Sequence, residues 1–182
     1  EKNMMSPQKN NPVIKRWDKK GVGSELDEVA SCDPRFPFVC STYRVSEHWQ
    51  TGVLTRWCPW LAEMQPEMFV EMSEELAKER GFKNGERVVV KSARGEVEAV
   101  ALVTPRFKPF MIGDTVIHQV GIPWHFGWIT TADRKYNPGD KKAEIFTTGD
   151  AANLLTPTIG DANTMIPESK AFMVNVVKKG VK

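Results

Sequence analysis

The sequence predicts a mainly β chain closed into a barrel, with a few short helices, on three observations. Six or seven short apolar stretches of strand length punctuate it, helical periodicity is confined to brief segments, and no internal repeat is present. Short strands bounded by Gly, Pro and Asn turns, without long helices between them, favour a sheet closed on itself with Greek-key-like crossings.

Residues 1–36 carry Pro7, Pro12, Pro34, Gly21 and Gly23 among scattered charges, with no apolar period of 3.6 or 2. They read as an extended arm, with Val13, Trp17 and Phe36 as anchors for the rest of a larger assembly, and residues 37–182 as the barrel domain. Phe38-Val39-Cys40-Ser41-Thr42 is a short buried strand. Phe69-Val70-Glu71-Met72 is a second, after which Ser73 caps a helix with Glu74 and Glu75 in its first turn, Lys78 and Arg80 in its last, and Gly81 beyond. Asn84-Gly85 turns into a strand over residues 87–92, and Arg94-Gly95 into another over 96–104, whose Val97, Ala99, Ala101 and Val103 share the core face. Residues 115–120 read as one more strand. A long loop rich in Gly, Pro and Trp follows up to Gly149, then a short helix near 151–155, a second loop through Pro167 and a last strand over 171–177. Loops this long inside a compact domain usually carry function or cover something.

With 182 residues, 41% of them hydrophobic and 26% charged, the chain can bury a core without disulfide or metal staples. Its 25 Lys+Arg against 23 Asp+Glu leave a net charge of +2, so no global field steers a nucleic acid or anion. Lys15, Arg16, Lys19 and Lys20 surround Trp17, but Glu25, Asp27 and Glu28 cancel that local field. The uncharged run 115–132 holds His118, Gln119, Pro123, His125 and three Thr, and is not a membrane-spanning helix. Cys32, Cys40 and Cys58 contain no CxxC pair and are odd in number, so they are expected to be reduced and structural, not metal ligands or a disulfide framework. The start, Glu1-Lys2-Asn3-Met4-Met5, has no apolar targeting core and reads as a cut or processed end with more protein upstream.

No GxSxG, HExxH, GxGxxG or P-loop occurs, so no catalytic residue and no metal ligand is assigned. His118 and His125, separated by Gly121 and Pro123, would fall on opposite faces of one strand and read as packed histidines. The informative stretch is residues 42–51, with two aromatic rings, hydroxyls, a guanidinium, a carboxylate and an imidazole just after a strand. That inventory suits a ligand with both phosphate and flat heterocyclic parts. From composition alone, a polar strand end that pairs with neighbouring loops is the more economical account.

Thr42-Tyr43-Arg44-Val45-Ser46-Glu47-His48-Trp49-Gln50-Thr51-Gly52 followed by Thr55-Arg56 resembles the first pterin-binding motif in the C-terminal domain of the DMSO reductase superfamily of molybdopterin oxidoreductases. The hairpin residues Asn84-Gly85-Glu86 and Arg94-Gly95 agree in order. So do His118-Gln119-Val120-Gly121-Ile122-Pro123-Trp124-His125-Phe126-Gly127, Asn153-Leu154-Leu155-Thr156, Gly160-Asp161-Ala162-Asn163 and Pro167-Glu168-Ser169-Lys170, which are similar to formate dehydrogenase catalytic (alpha) subunits in particular. The resemblance spans residues 38–177, and Asn10-Asn11-Pro12 resembles the segment leading into this domain. Any one piece is weak; several in order are strong.

The resemblance implies a six-stranded double-psi β-barrel of the aspartate-decarboxylase type that closes over a molybdenum or tungsten bis(molybdopterin guanine dinucleotide). It implies cofactor contacts at Thr42, Tyr43, Arg44, Glu47, His48, Trp49, Thr51, His125, Asn153 and Lys170, with Arg44, His48, Asn153 and Lys170 converging on one face. A guanidinium and an ammonium would offset pyrophosphate charge, and Gly127 would let backbone approach a flat ring. Relatives often have Gly where this chain has Tyr43. The metal ligand, its acid-base neighbours and an iron-sulfur cluster are implied upstream and not in this chain. The implied partners are the remaining domains of the catalytic subunit and an iron-sulfur electron-transfer subunit, with formate and CO2 as substrate and product in anaerobic respiration, and no nucleic acid or membrane insertion. The formate dehydrogenases it resembles are exported, which implies a periplasmic setting and leaves a cytoplasmic one open. The alternatives are the same domain of a nitrate reductase-like enzyme, against which residues 121–125 speak, and a non-catalytic double-psi barrel that recognises protein substrates. A nucleic-acid-binding barrel is disfavoured by the charge.

Overall fold

The computed structural model describes residues 33–127, 130–131, 145–147, 149–157, 164–167 and 169–180. Its centre is built by strict alternation. In β1 (Phe38–Tyr43), Phe38, Cys40 and Thr42 point inward, and in β3 (Arg87–Ser92) Val88, Val90 and Ser92 do the same. β4 (Glu96–Thr104) contributes Val97, Ala99 and Ala101, and β10 (Phe172–Lys178) contributes Phe172, Val174 and Val176. Each such aliphatic or aromatic side chain taken out of water contributes about 1.5–3 kcal/mol, which the one-face pattern sums into a single core.

With β2 (Phe69–Ser73) and β7 (Gln119–Pro123), these strands close in the order β1-β10-β3-β4-β2-β7. β1 with β7 and β2 with β4 are parallel pairs between strands distant in sequence; the other four pairings are antiparallel. Closure leaves no free sheet edge, and the crossings give the interlocked six-stranded barrel that the resemblance implied.

Helix α2 (Glu74–Arg80) has the expected ends. Ser73 Oγ accepts from the Leu76 N–H at 3.0 Å, and Gly81 closes the helix in the left-handed region at φ 70°. Several features differ from the sequence expectations. Residues 115–120 are not one strand: β6 (Thr115–Ile117) pairs back onto β5 (Phe110–Ile112) through a turn at Gly113, while β7 starts at Gln119 and stays in the barrel. Alternation cannot see this break, because Val116 and Val120 fall on one period-2 rhythm across His118. Residues 121–123 are strand, not loop, since Pro123 ends β7 and Gly121 lies under the rings of Tyr43 and Phe107, where a Cβ would come within 2.7 Å of Phe107 Cζ.

Helix α1 (Pro59–Met64), which was not expected, begins with Pro at its first position, where the missing N–H costs nothing. A 3-10 turn, Thr55–Trp57, precedes it, and the expected short helix near residue 151 is the 3-10 turn Ala152–Leu154. β8 (Thr130–Thr131) and β9 (Ile145–Thr147) pair within what read as one long loop. Of the expected arm over residues 1–36, residues 1–32, with Cys32 and Asn10-Asn11-Pro12, lie outside the described residues. Its last part is described: Asp33 binds Arg35, and Phe36 is buried. Among the described residues no helix is long and apolar enough to cross a membrane.

Candidate functional site

Topology gathers the candidate residues at one end of the barrel. Because β1 and β7 are parallel with Tyr43 opposite Pro123, the segments leaving both strands, residues 44–52 and 124–127, emerge together. β10 is antiparallel to β1 and starts with Phe172 opposite Cys40, so the residues entering it, Ser169 and Lys170, arrive at the same end. β3 ends there too, with Ser92 opposite Val174.

Thr42 is buried; its hydroxyl donates to the Ser169 carbonyl at 2.9 Å, and its own carbonyl accepts from Lys170 Nζ. Lys170 and Thr42 are thus joined across 128 positions. Arg44 is exposed, with its guanidinium carbon 5.7 Å from the ring centre of Trp124, a cation over an aromatic face. Partial burial first and then the nearby Arg44 charge hold the Lys170 ammonium below its ordinary value, so two cations share one small region. Such a pair is relieved by an anion between or beside them. Trp49, at 66% exposure, and Thr51 face outward on the same loop, and half-buried Glu47 accepts a long bond from Ser46 Oγ at 3.4 Å.

The two histidines behave differently. His48 is buried, with Nε2 donating to the Gln65 carbonyl at 2.7 Å and Nδ1 3.2 Å from the Thr55 hydroxyl, which also accepts from the Trp49 N–H at 3.0 Å. His125 is fully buried; Nε2 accepts from the Val45 N–H at 2.9 Å and Nδ1 donates to the Gln50 carbonyl at 2.5 Å. Burial is the main reason both imidazoles lie below the usual histidine range. Arg56, fully buried beneath them with its guanidinium 5.2 Å from the Phe126 ring centre, is pushed down to about 10 by desolvation. Gly52 is required here: at φ 79°, a Cβ would press on the His125 carbonyl and stand 2.5 Å from Arg56 Cδ.

Tyr43 turns the other way, as alternation demands. Its ring lies outside the barrel wall and its hydroxyl donates to Glu71, which also accepts from Thr104 at 2.7 Å and from Arg106. Asn153 is exposed on the 3-10 turn that packs on the β3–β4 turn, where Arg94 Nε donates to the Leu155 carbonyl at 3.0 Å; Asn153 Oδ1 lies 3.5 Å from the Thr156 hydroxyl. Gly127, at φ 137°, makes its close approach to Ala151 and donates to the Gly149 carbonyl at 3.0 Å. His118 binds Glu79 at 2.9 Å and lies against Phe38, whereas His125 lies against His48. Among the described residues no group of three His, Cys, Asp or Glu could hold a metal ion. Sequence reasoning missed the backbone carbonyls of Ser169, Gln65 and Gln50, which no residue type announces.

Residues 38–173 match the family described as Molydopterin dinucleotide binding domain. Similar proteins include the formate dehydrogenase subunit alpha of Megalodesulfovibrio gigas, 56% identical over 152 residues, covering 84% of this chain and 14% of that protein. The formate dehydrogenase 2 subunit alpha (cytochrome c-553) of Nitratidesulfovibrio vulgaris is 44% identical over 156 residues, 85% of this chain and 14% of that protein. The nitrate-inducible formate dehydrogenase major subunit of Escherichia coli is 40% identical over 169 residues, 93% of this chain and again 14% of its own length. The chain thus spans 14% of the length of these relatives. The acetylene hydratase of Pelobacter acetylenicus has a similar fold, with TM-score 0.58 at 13% identity over 80% of this chain and 19% of that one. Since the matched span runs from the start of β1 into the first residues of β10 and takes in the five other strands of the barrel, the chain belongs to the molydopterin dinucleotide binding domain family.

Proposed function

We propose that this chain is the part of a molybdenum- or tungsten-dependent formate dehydrogenase catalytic subunit that holds and buries one guanine dinucleotide of a bis(molybdopterin guanine dinucleotide). The observation that carries the reading is the bond of Lys170 to the Thr42 carbonyl, two residues from an exposed Arg44 whose guanidinium stands over the ring of Trp124, on the loop that also carries the exposed Trp49. The donor set fits the group. Two cations suit a pyrophosphate, indole faces suit flat heterocycles, and the Glu47 carboxylate, the Thr51 hydroxyl and the Asn153 amide suit purine or pterin edges. His48, His125 and Thr42 serve by holding this surface in shape, and Tyr43 by closing the outer wall.

When bound, the cofactor's metal supplies the two-electron chemistry of formate oxidation. The residues of this chain bind the dinucleotide, orient it and exclude water. Leu54 and Trp60, each 75% exposed, would meet the remaining domains of the catalytic subunit. An iron-sulfur subunit as electron partner and a periplasmic setting complete the reading.

The test is analysis of the intact enzyme that contains this chain: metal, pterin and acid-released guanine nucleotide per polypeptide. Molybdenum or tungsten with two guanine nucleotides supports the reading, and a protein free of both contradicts it. The 182-residue chain alone, supplied with cofactor, is expected not to sustain formate-dependent dye reduction.

A further inference from the structure

We propose that His125 is the positioning residue of the dinucleotide loop, clamping both ends of residues 45–50 so that Arg44 and Trp49 present one fixed surface; this rests on the reading of that loop as a guanine dinucleotide site. A single imidazole makes both bonds, accepting from the Val45 N–H at 2.9 Å and donating to the Gln50 carbonyl at 2.5 Å. It thereby bridges the loop at its base. The loop is costly to hold by itself: Gln50 sits at φ 51°, a left-handed conformation that a non-glycine residue keeps only when its surroundings impose it. The Gln50 carbonyl bond to His125 is part of that imposition. His48, whose ring centre is 6.0 Å from that of His125, pins the middle of the same loop from inside through Thr55 and Gln65.

The clamp works in one protonation state. Nε2 must be an acceptor and Nδ1 a donor, so the ring must be neutral in a single tautomer. A proton on Nε2 would set two donors against each other at Val45. The charged and titratable groups facing the ring are His48 and Arg44, which oppose that proton, and Glu47, which favours it; Arg56 lies one layer further, against His48 and Phe126. Burial acts most strongly, in the same sense as the cations, and outweighs the bond to the Gln50 carbonyl, which favours the proton. The loop is therefore ordered at neutral pH and loosened as pH falls below the ordinary histidine value of 6.5. His125 accordingly acts on the ligand through the backbone and not by direct contact.

The experiment titrates the full chain and its His125→Ala, His125→Gln and His125→Asn variants with guanosine 5′-diphosphate from about pH 5 to pH 8, following tryptophan fluorescence, with amide exchange of the 44–51 peptide in parallel. Glutamine keeps an acceptor near the Nε2 position and asparagine a donor near the Nδ1 position, and neither titrates. His125→Ala is expected to bind about 10-fold more weakly and exchange faster in this loop, with His125→Gln recovering most of the difference. The parent should lose affinity on acidification more steeply than His125→Gln, the excess following one proton, while the fall common to both is protonation of the nucleotide's terminal phosphate. Parent-like affinity and exchange in a folded His125→Ala chain, or an unchanged acid response in His125→Gln, would overturn the proposal. If His125→Ala does not fold, the acid response of His125→Gln decides. A parent that binds no nucleotide rejects the dinucleotide reading; the clamp is then judged by whether acid lowers the protection of the 44–51 peptide, relative to its intrinsic exchange at each pH, in the parent and not in His125→Gln.

Discussion

The Tyr43 hydroxyl donates to Glu71 Oε2 at 2.7 Å on the outer wall of the barrel, while the adjacent Thr42 points inward toward Ser169. One position in the most ligand-like stretch of the sequence is thus claimed by the wall. Tyr43→Phe is expected to cost about 1–2 kcal/mol, the loss of one donor to a buried carboxylate that keeps its others. It should leave guanosine diphosphate affinity unchanged. Urea unfolding and a nucleotide titration check the two halves, and a large loss of affinity in a stable variant would place Tyr43 in the site after all.

Glu71 makes the same wall sensitive to acid. Burial alone would raise its carboxyl, but the hydrogen bonds from Arg106, Thr104 and Tyr43 together hold it below the ordinary 4.5. A carboxyl depressed in the folded state binds its proton more readily when unfolded, so its contribution is present above pH 4.5 and is lost as pH falls from there through the folded value. Glu71→Gln should flatten that part of the stability–pH curve. Thermal melts of the two chains from neutral to acid pH test this, and parallel curves would contradict it.

Gly52→Ala is expected to be among the most damaging single-methyl changes in the chain. The added carbon meets the His125 carbonyl and Arg56 while the backbone is held at φ 79°. A cost of about 2–4 kcal/mol follows from the clash and the conformational penalty together. The midpoint of denaturant unfolding measures it, and a shift within the error of the parent would mean that the loop relaxes freely.

The barrel was legible because its strands alternate and its helix α2 carries caps at both ends: Ser73, Gly81 and the 97–103 stripe all declare themselves by residue type. The β5–β6 hairpin was not, because Val116 and Val120 obey one rhythm while the chain changes partner at His118. Nor was the inward turn of His48 and His125, since the carbonyls that hold them, at Gln65 and Gln50, are common to every residue. The sequence pointed to residues 42–51 as ligand-like, and the resemblance added His125, Asn153 and Lys170; which side chains of that stretch face outward depended on alternation across Thr42 and Tyr43 and on backbone bonds.

The cysteines divide by environment. Cys40 is buried in β1, where desolvation raises its thiol far above the ordinary value, and Cys58 is partly exposed at the start of α1. In the native chain Cys58 should react with a thiol reagent well before Cys40, and in denaturant three thiols per chain should be counted. Fast labelling of Cys40 would show that β1 opens locally.

The central claim, that the Thr42 end of the barrel binds a guanine dinucleotide through paired cations, is tested most directly by titrating the parent chain and the Arg44→Ala and Lys170→Ala variants with guanosine diphosphate. Lys170→Ala should cost about 1 kcal/mol in stability, since the side chain is largely exposed but gives up its bond to the Thr42 carbonyl. Each variant should bind about 10-fold or more weakly, the loss of one charge-assisted contact. A parent chain that does not bind the nucleotide, or variants that bind it as well as the parent, would contradict the claim.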